Sequence, residues 1–129
     1  MSRSGLAGWR EYVDTQDIDL LRRVLHPDVV FESPVVHTPQ RGRDITLRYL
    51  EAAVNVLKGP AFRFTGEWHN DHGTVLELQT EIEGIRINGV DIIELSSDGE
   101  LITHFKVMVR PIEAIKLLHR LMSEELAKV

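Results

Sequence analysis

Apolar residues recur along the chain in two rhythms. In the first half they repeat every three to four positions, the spacing of one helix face. Leu6, Trp9 and Val13, with Tyr12 beside them, predict a helix from about Gly5 to Thr15. Leu20, Leu21, Val24 and Leu25 share one face of a second, short helix. Asp17 is placed to cap it, because its carboxylate accepts bonds from the free N–H groups of a first turn. His26-Pro27 ends it, since the residue before a proline is forced out of helical geometry. Val29–Ser33 reads as a strand, and residues 34–43, with Pro34, Pro39 and Gly42, as an irregular loop. A third helix carries Leu47, Leu50, Val54 and Leu57, with Asp44 as its expected N-cap and Gly59-Pro60 as its stop.

The second half changes to a period of two, which is the alternation of a strand. Phe62, Phe64 and Trp68 alternate with Arg63, Thr65 and Glu67. Leu76, Leu78 and Ile82 alternate with Glu77, Gln79, Glu81 and Glu83, and Gly84 breaks the run. Ile85–Leu95 and Leu101–Val109 follow as two more strands. Asn70–Gly73 and Ser97-Asp98-Gly99 are turn sequences. Strands separated by such short turns predict an antiparallel meander. Pro111 suits the first turn of a closing helix, whose stripe is Ile115, Leu118 and Met122 with Leu121 in support. The order α-α-β-α-β-β-β-β-α predicts an α+β fold with helices over one sheet face. The other face must be solvated or buried in a partner.

Composition narrows the class. The chain has 129 residues, 43% hydrophobic and 27% charged, which fits one globular domain over residues 1–129. No apolar run is long enough to span a bilayer, and the N-terminal segment lacks the apolar stretch of a signal peptide, so a cytoplasmic location and no membrane partner are expected. The absence of cysteine rules out disulfides and thiolate chemistry. With a net charge of −5 and scattered basic residues, of which Arg41-Gly42-Arg43 is the one local cluster, nucleic acid is not an expected partner. His69 and His72 flank a turn, but no further ligand is spaced to complete a metal site, and neither a metal nor a cofactor is expected.

Two segments carry a resemblance. FESPVVHTPQRGRD, residues 31–44, and GVDIIELSSDGELITHFKVMVRP, residues 89–111, together with the element order, resemble the nuclear transport factor 2-like superfamily, and within it the SnoaL-like domains related to polyketide cyclases and ketosteroid isomerases. The resemblance spans nearly the whole chain. It implies a cone: a bent sheet wrapped around helices, a cavity at the open end for a small organic molecule, and a homodimer through the outer sheet face. The fold hosts isomerases, cyclases, hydrolases and non-catalytic binding or dimerisation modules, so it does not name a reaction.

Three positions matter in ketosteroid isomerases. The general-base aspartate precedes a proline at the end of the first strand. Ser33, before Pro34, stands there, and a hydroxyl does not take a proton from carbon as a carboxylate does. The tyrosine of the first helix corresponds roughly to Trp9, with Tyr12 nearby; an indole donates a hydrogen bond but is no acid. Asp91 matches the aspartic acid that donates to an oxyanion. Alternation independently groups Asp91 with Ile93 and Leu95, and an acid on an apolar face must be paired or neutral. Asp91 is therefore the candidate catalytic group, with a structural bond to a helix or lysine as the alternative. Limonene epoxide hydrolases need an arginine two positions before the acid; residue 89 is glycine.

The last strand offers two faces. Hydrophobicity alone turns Phe105, Val107 and Val109 inward. The resemblance instead turns His104, Lys106 and Met108 to the cavity, where His104 or Lys106 pairs with Asp91, and leaves the apolar set to a dimer; this second reading is the one adopted. His37 lies in the loop near the expected cavity mouth, where an imidazole serves as acid or base near neutral pH or fixes the loop by a backbone bond. Phe31, Tyr49, Phe64, Trp68, Leu76 and Leu78 are candidate walls. Arg110 is expected to pair with a carboxylate at the helix–sheet junction.

Overall fold

The computed structural model describes residues 4–128. Helices α1 (Ser4–Thr15) and α2 (Ile18–Val24) open the chain. Gly8 of α1 lies so close to Val24 of α2 that any β-carbon there would collide with the valine, which sets the crossing of the pair. Asp17 caps α2 as expected, its carboxylate accepting from the Asp19 N–H at 3.1 Å. Strand β1 (Leu25–Glu32) begins earlier than expected and takes in Leu25, His26 and Pro27. The proline that ends the helix thus starts the strand, in a stretch whose pairing shifts between Leu25 and Val30.

The expected loop contains a two-residue strand, β2 (Gln40–Arg41), which pairs antiparallel with β1. Helix α3 (Arg43–Leu57) follows. Its N-cap is Gly42 rather than Asp44, because the chain turns there with φ of 104°, a conformation open to glycine, and Asp44 falls in the first turn. Strands β3 (Arg63–His69), β4 (Gly73–Ile82), β5 (Ile85–Leu95) and β6 (Ile102–Arg110) form the expected meander, and α4 (Ile112–Leu126) closes the chain. Pro111 is the N-cap of α4, one position before its first turn.

The sheet order is β2-β1-β6-β5-β4-β3. All neighbouring pairs are antiparallel except β1 and β6, which run parallel, since β1 reaches the meander through a long crossover. Two bulges shape the sheet. Phe64 faces Leu78 and Gly66 faces Glu77, leaving Thr65 as an extra residue in β3. Ile102 faces Leu95 and His104 faces Glu94, leaving Thr103 extra in β6. Each bulge bends its strand and switches which face the following residues occupy.

The main core lies between the inner sheet face and α1, α2 and α3. Trp9, Tyr12, Leu21, Phe31, Leu50, Ile93, Ile102 and Phe105 are all buried there. Trp9 and Phe105 meet edge-on with ring centroids 4.7 Å apart. A second cluster, Ile87 with Ala114, Leu117 and Leu118, seats α4 against the sheet. No helix among the described residues is long and apolar enough to cross a membrane.

Candidate functional site

Asp91 is placed by strand geometry. It sits in the middle of β5, directly opposite Leu76 of β4 and Val107 of β6. Directly opposed residues share a face, so its side chain enters the apolar interior. The residue is 4% exposed. Its carboxyl has no hydrogen bond or ion pair among the described residues. Burial without a partner pushes its carboxyl up from the usual 3.8 to about 7. Near neutral pH it is thus poised between a neutral acid that donates and a carboxylate that accepts.

A cavity of about 40 Å³ lies beside it. Trp9 and Val13 of α1, Leu50, Val54 and Leu57 of α3, and Leu78, Phe105 and Val107 of the sheet form its walls, with Lys58, Phe62 and Phe64 also lining it. The Trp9 indole N–H is buried without an acceptor. Asp91 and Trp9 thus line the cavity as polar groups with unused hydrogen-bonding capacity. Lys58 is tethered away from the acid: its Nζ donates to the Val13 carbonyl at 2.9 Å and lies 3.9 Å from Asp14. Ligand pockets usually measure about 300–1,000 Å³, whereas one water needs about 10–15 Å³. As it stands, the cavity has room for only a few waters.

The structure separates the other candidates. Phe64 lines the cavity with Trp9 and Asp91. Tyr12, Phe31 and Leu76 are core residues around it, and Tyr49 packs on Phe31 at 5.7 Å. The Tyr12 hydroxyl is pushed up to about 12 by burial and by Glu51, so it stays protonated. Trp68 does not join the wall: the Thr65 bulge turns it to the outer face, where it is 57% exposed.

The adopted orientation of the last strand is corrected. Phe105 and Val107 face inward, and His104, Lys106 and Met108 face outward. Neither His104 nor Lys106 pairs with Asp91. His104 Nε2 lies 2.8 Å from Glu32 and its Nδ1 lies 3.4 Å from Glu94, both on the outer face. Lys106, Met108, Ser33 and His37 line a separate open groove that does not include Asp91. The Ser33 hydroxyl accepts from the Val35 N–H at 3.2 Å, a local turn bond. Arg110 donates from Nε to the Asn88 side-chain oxygen at 2.9 Å, an amide rather than the expected carboxylate. His69 is no free turn residue: its Nδ1 lies 2.7 Å from the Thr74 hydroxyl and its Nε2 2.5 Å from Glu67, which also pairs with Arg10.

The bent, unclosed sheet around helices matches the nuclear transport factor 2-like class of α+β folds. Within that class the chain belongs to the SnoaL-like domain family, whose model matches residues 6–105. It is similar to a steroid delta-isomerase from Pseudomonas aeruginosa, with 31% identity over 95% of this chain and 89% of that one and a TM-score of 0.88. It is also similar to an uncharacterized bacterial protein with a cystatin-like fold from Silicibacter pomeroyi, at 28% identity over 95% and 84% of the two chains and a TM-score of 0.84. SalBIII, an epoxide hydrolase/cyclase-like enzyme of pyran ring formation in salinomycin, shares the fold at 18% identity over 84% and 89%, with a TM-score of 0.67. A search of curated proteins returns no match.

Proposed function

We propose that this chain binds a small, mostly apolar molecule bearing a hydrogen-bond-accepting oxygen, and that Asp91 is its acid/base group. The observation that carries this reading is Asp91 itself, an unpaired acid poised near pH 7 on an apolar face. A protonated Asp91 and the unpartnered Trp9 N–H supply two donors for one carbonyl oxygen. Such donors stabilise an oxygen that gains charge during proton transfer at a neighbouring carbon. The similarity to a steroid delta-isomerase supports isomerase-type chemistry, and the SalBIII likeness supports the fold alone. Among the described residues no second carboxylate lines the cavity, so while Asp91 is protonated and donating, the carbon-bound proton must pass to water. Entry of a ligand requires Phe62, Phe64 and the Lys58 tether to give way, because the closed cavity is too small.

The test is tryptophan fluorescence in W68F, which leaves Trp9 as the reporter. Titration with an unsaturated ketosteroid is expected to quench Trp9 at pH 6 and less at pH 8.5, and D91N is expected to remove that pH dependence. Unchanged fluorescence at both pH values would count against the pocket reading.

The cavity volume favours a second reading, a non-catalytic module whose interior is filled by its own side chains. Its working surface is then the outer sheet face. There Trp68, Val75 and Ile92 stand side by side in register, with exposed Met108 next to Val90, and a second copy of the chain is the proposed occupant.

A further inference from the structure

Away from Asp91, the far end of the outer sheet face carries a basic row with no assigned role. Arg63, Gln79, Asn88 and Arg110 are successive partners across β3, β4, β5 and β6, so all four side chains project from one face. The two arginines lean toward each other. Arg63 Nη2 donates to Gln79 Oε1 at 3.2 Å, and Arg110 Nε donates to Asn88 Oδ1 at 2.9 Å. Gln79 and Asn88 sit on adjacent strands, which run about 4.8 Å apart. The two guanidiniums are thereby brought above neighbouring strands, although their backbones are three strands apart.

The fixing groups are amides. A carboxylate would orient a guanidinium and cancel its charge; an amide oxygen orients it and leaves the charge intact. Neither Arg63 nor Arg110 has an ion pair among the described residues. Arg86 adds a third cation to the same groove, held only loosely by Glu81 at 3.9 Å. Glu77, outside the groove lining, accepts from the Asn88 amide N–H at 2.9 Å. The groove that these residues line measures about 670 Å³, with Ala61 and Pro111 also in its lining. Three guanidiniums against Glu81 in the lining leave the groove basic on a chain of net charge −5, and an anion between them is favoured.

We propose that this groove is an anion-binding site, in which Arg63 and Arg110 grip a compact dianion such as a phosphate group and Arg86 adds charge at the edge. A planar fork of donors matches the oxygens of phosphate, and two forks held in advance lose little freedom on binding. The site lies on the opposite face from Asp91, so it stands or falls independently of the inner cavity.

Isothermal titration of the whole chain with inorganic pyrophosphate tests it, with sodium chloride at equal ionic strength as the control. Saturable binding is expected for the wild type. R63A and R110A are each expected to weaken it by about tenfold or more, the loss of one charged hydrogen-bonding group. R63K and R110K keep the charge but lose the fork and should fall between, while R23A, on α2, should bind as the wild type does. Thermal melts of each variant confirm that it is folded. Equal affinity in R63A, R110A and wild type overturns the proposal, as does a signal that chloride reproduces, which means an adventitious ion only. Loss of self-association in the R63A/R110A variant, with no pyrophosphate binding by the wild type, also overturns it and assigns the row to a contact between copies.

Discussion

Asp91 and His104 stand on neighbouring strands and opposite faces, and their polar groups are accommodated in opposite ways. His104 lies within reach of two carboxylates, Glu32 and Glu94, on a face open to water. Asp91 lies among Leu78, Phe105 and Val107 with no partner. A group that solvent reaches shares its field with neighbours and water. A fully enclosed acid has no such outlet, so the interior acts on its protonation instead. The outer face thus carries its charges where water and neighbouring groups reach them, beside apolar residues open to a partner. The inner face encloses Asp91 in apolar surroundings that favour its protonated form.

The sharpest way to break this division is to delete one side chain from each face. Phe105→Ala empties a fully buried site against Trp9 and Phe31 and is expected to cost about 3–5 kcal/mol in urea unfolding. Lys106→Ala, one residue on, should change stability by no more than about 0.5 kcal/mol. If Lys106→Ala proved the costlier change, the faces of β6 would be misassigned.

Asp91→Asn sharpens the comparison through pH. The folded carboxyl holds its proton more tightly than the unfolded one, since its value is raised to about 7 from 3.8. Its contribution to stability is fully present below about pH 4 and is lost as pH rises through 7. Asparagine does not titrate, so the variant should gain on the wild type as pH rises, by up to about 4 kcal/mol at pH 8, and gain nothing at pH 4. Denaturation curves at the two pH values give the difference directly. Trp68→Ala probes the outer face with the smallest effect on folding, about 1 kcal/mol or less for an exposed side chain. Its expected consequence is on mass in solution: light scattering should show a dimer for the wild type and weakened association for the variant.

Much of the fold was legible because each element advertised its period. The helical stripe of Leu47, Leu50 and Val54 and the alternation from Ile85 to Leu95 both recur in the structure. Asp91 was legible for the same reason, since alternation alone turns it inward beside Ile93. What alternation does not carry is a bulge. Thr65 and Thr103 are ordinary strand residues by type, and nothing in their identity says that each opposes no partner. Counting by twos across Thr65 sends Trp68 inward, and counting by twos across Thr103 puts Ile102 on the face of His104. Both counts fail. Hydrophobicity was the better guide for Phe105 and Val107, because burying two apolar side chains outweighs a pattern of resemblance. Lys58 and Phe62 were missed as cavity residues because they come from the turn after α3, which only the folded chain brings to Asp91.

The central claim is that Asp91 is an unpaired interior acid holding its proton up to neutral pH. Its most direct test is a pH titration of the Asp91 side-chain carboxyl by carbon-13 NMR, with Asp91→Asn identifying the resonance. A midpoint near 7 is the expected result. A midpoint at or below the ordinary 3.8 would contradict it, showing a carboxylate that is solvated or paired in solution.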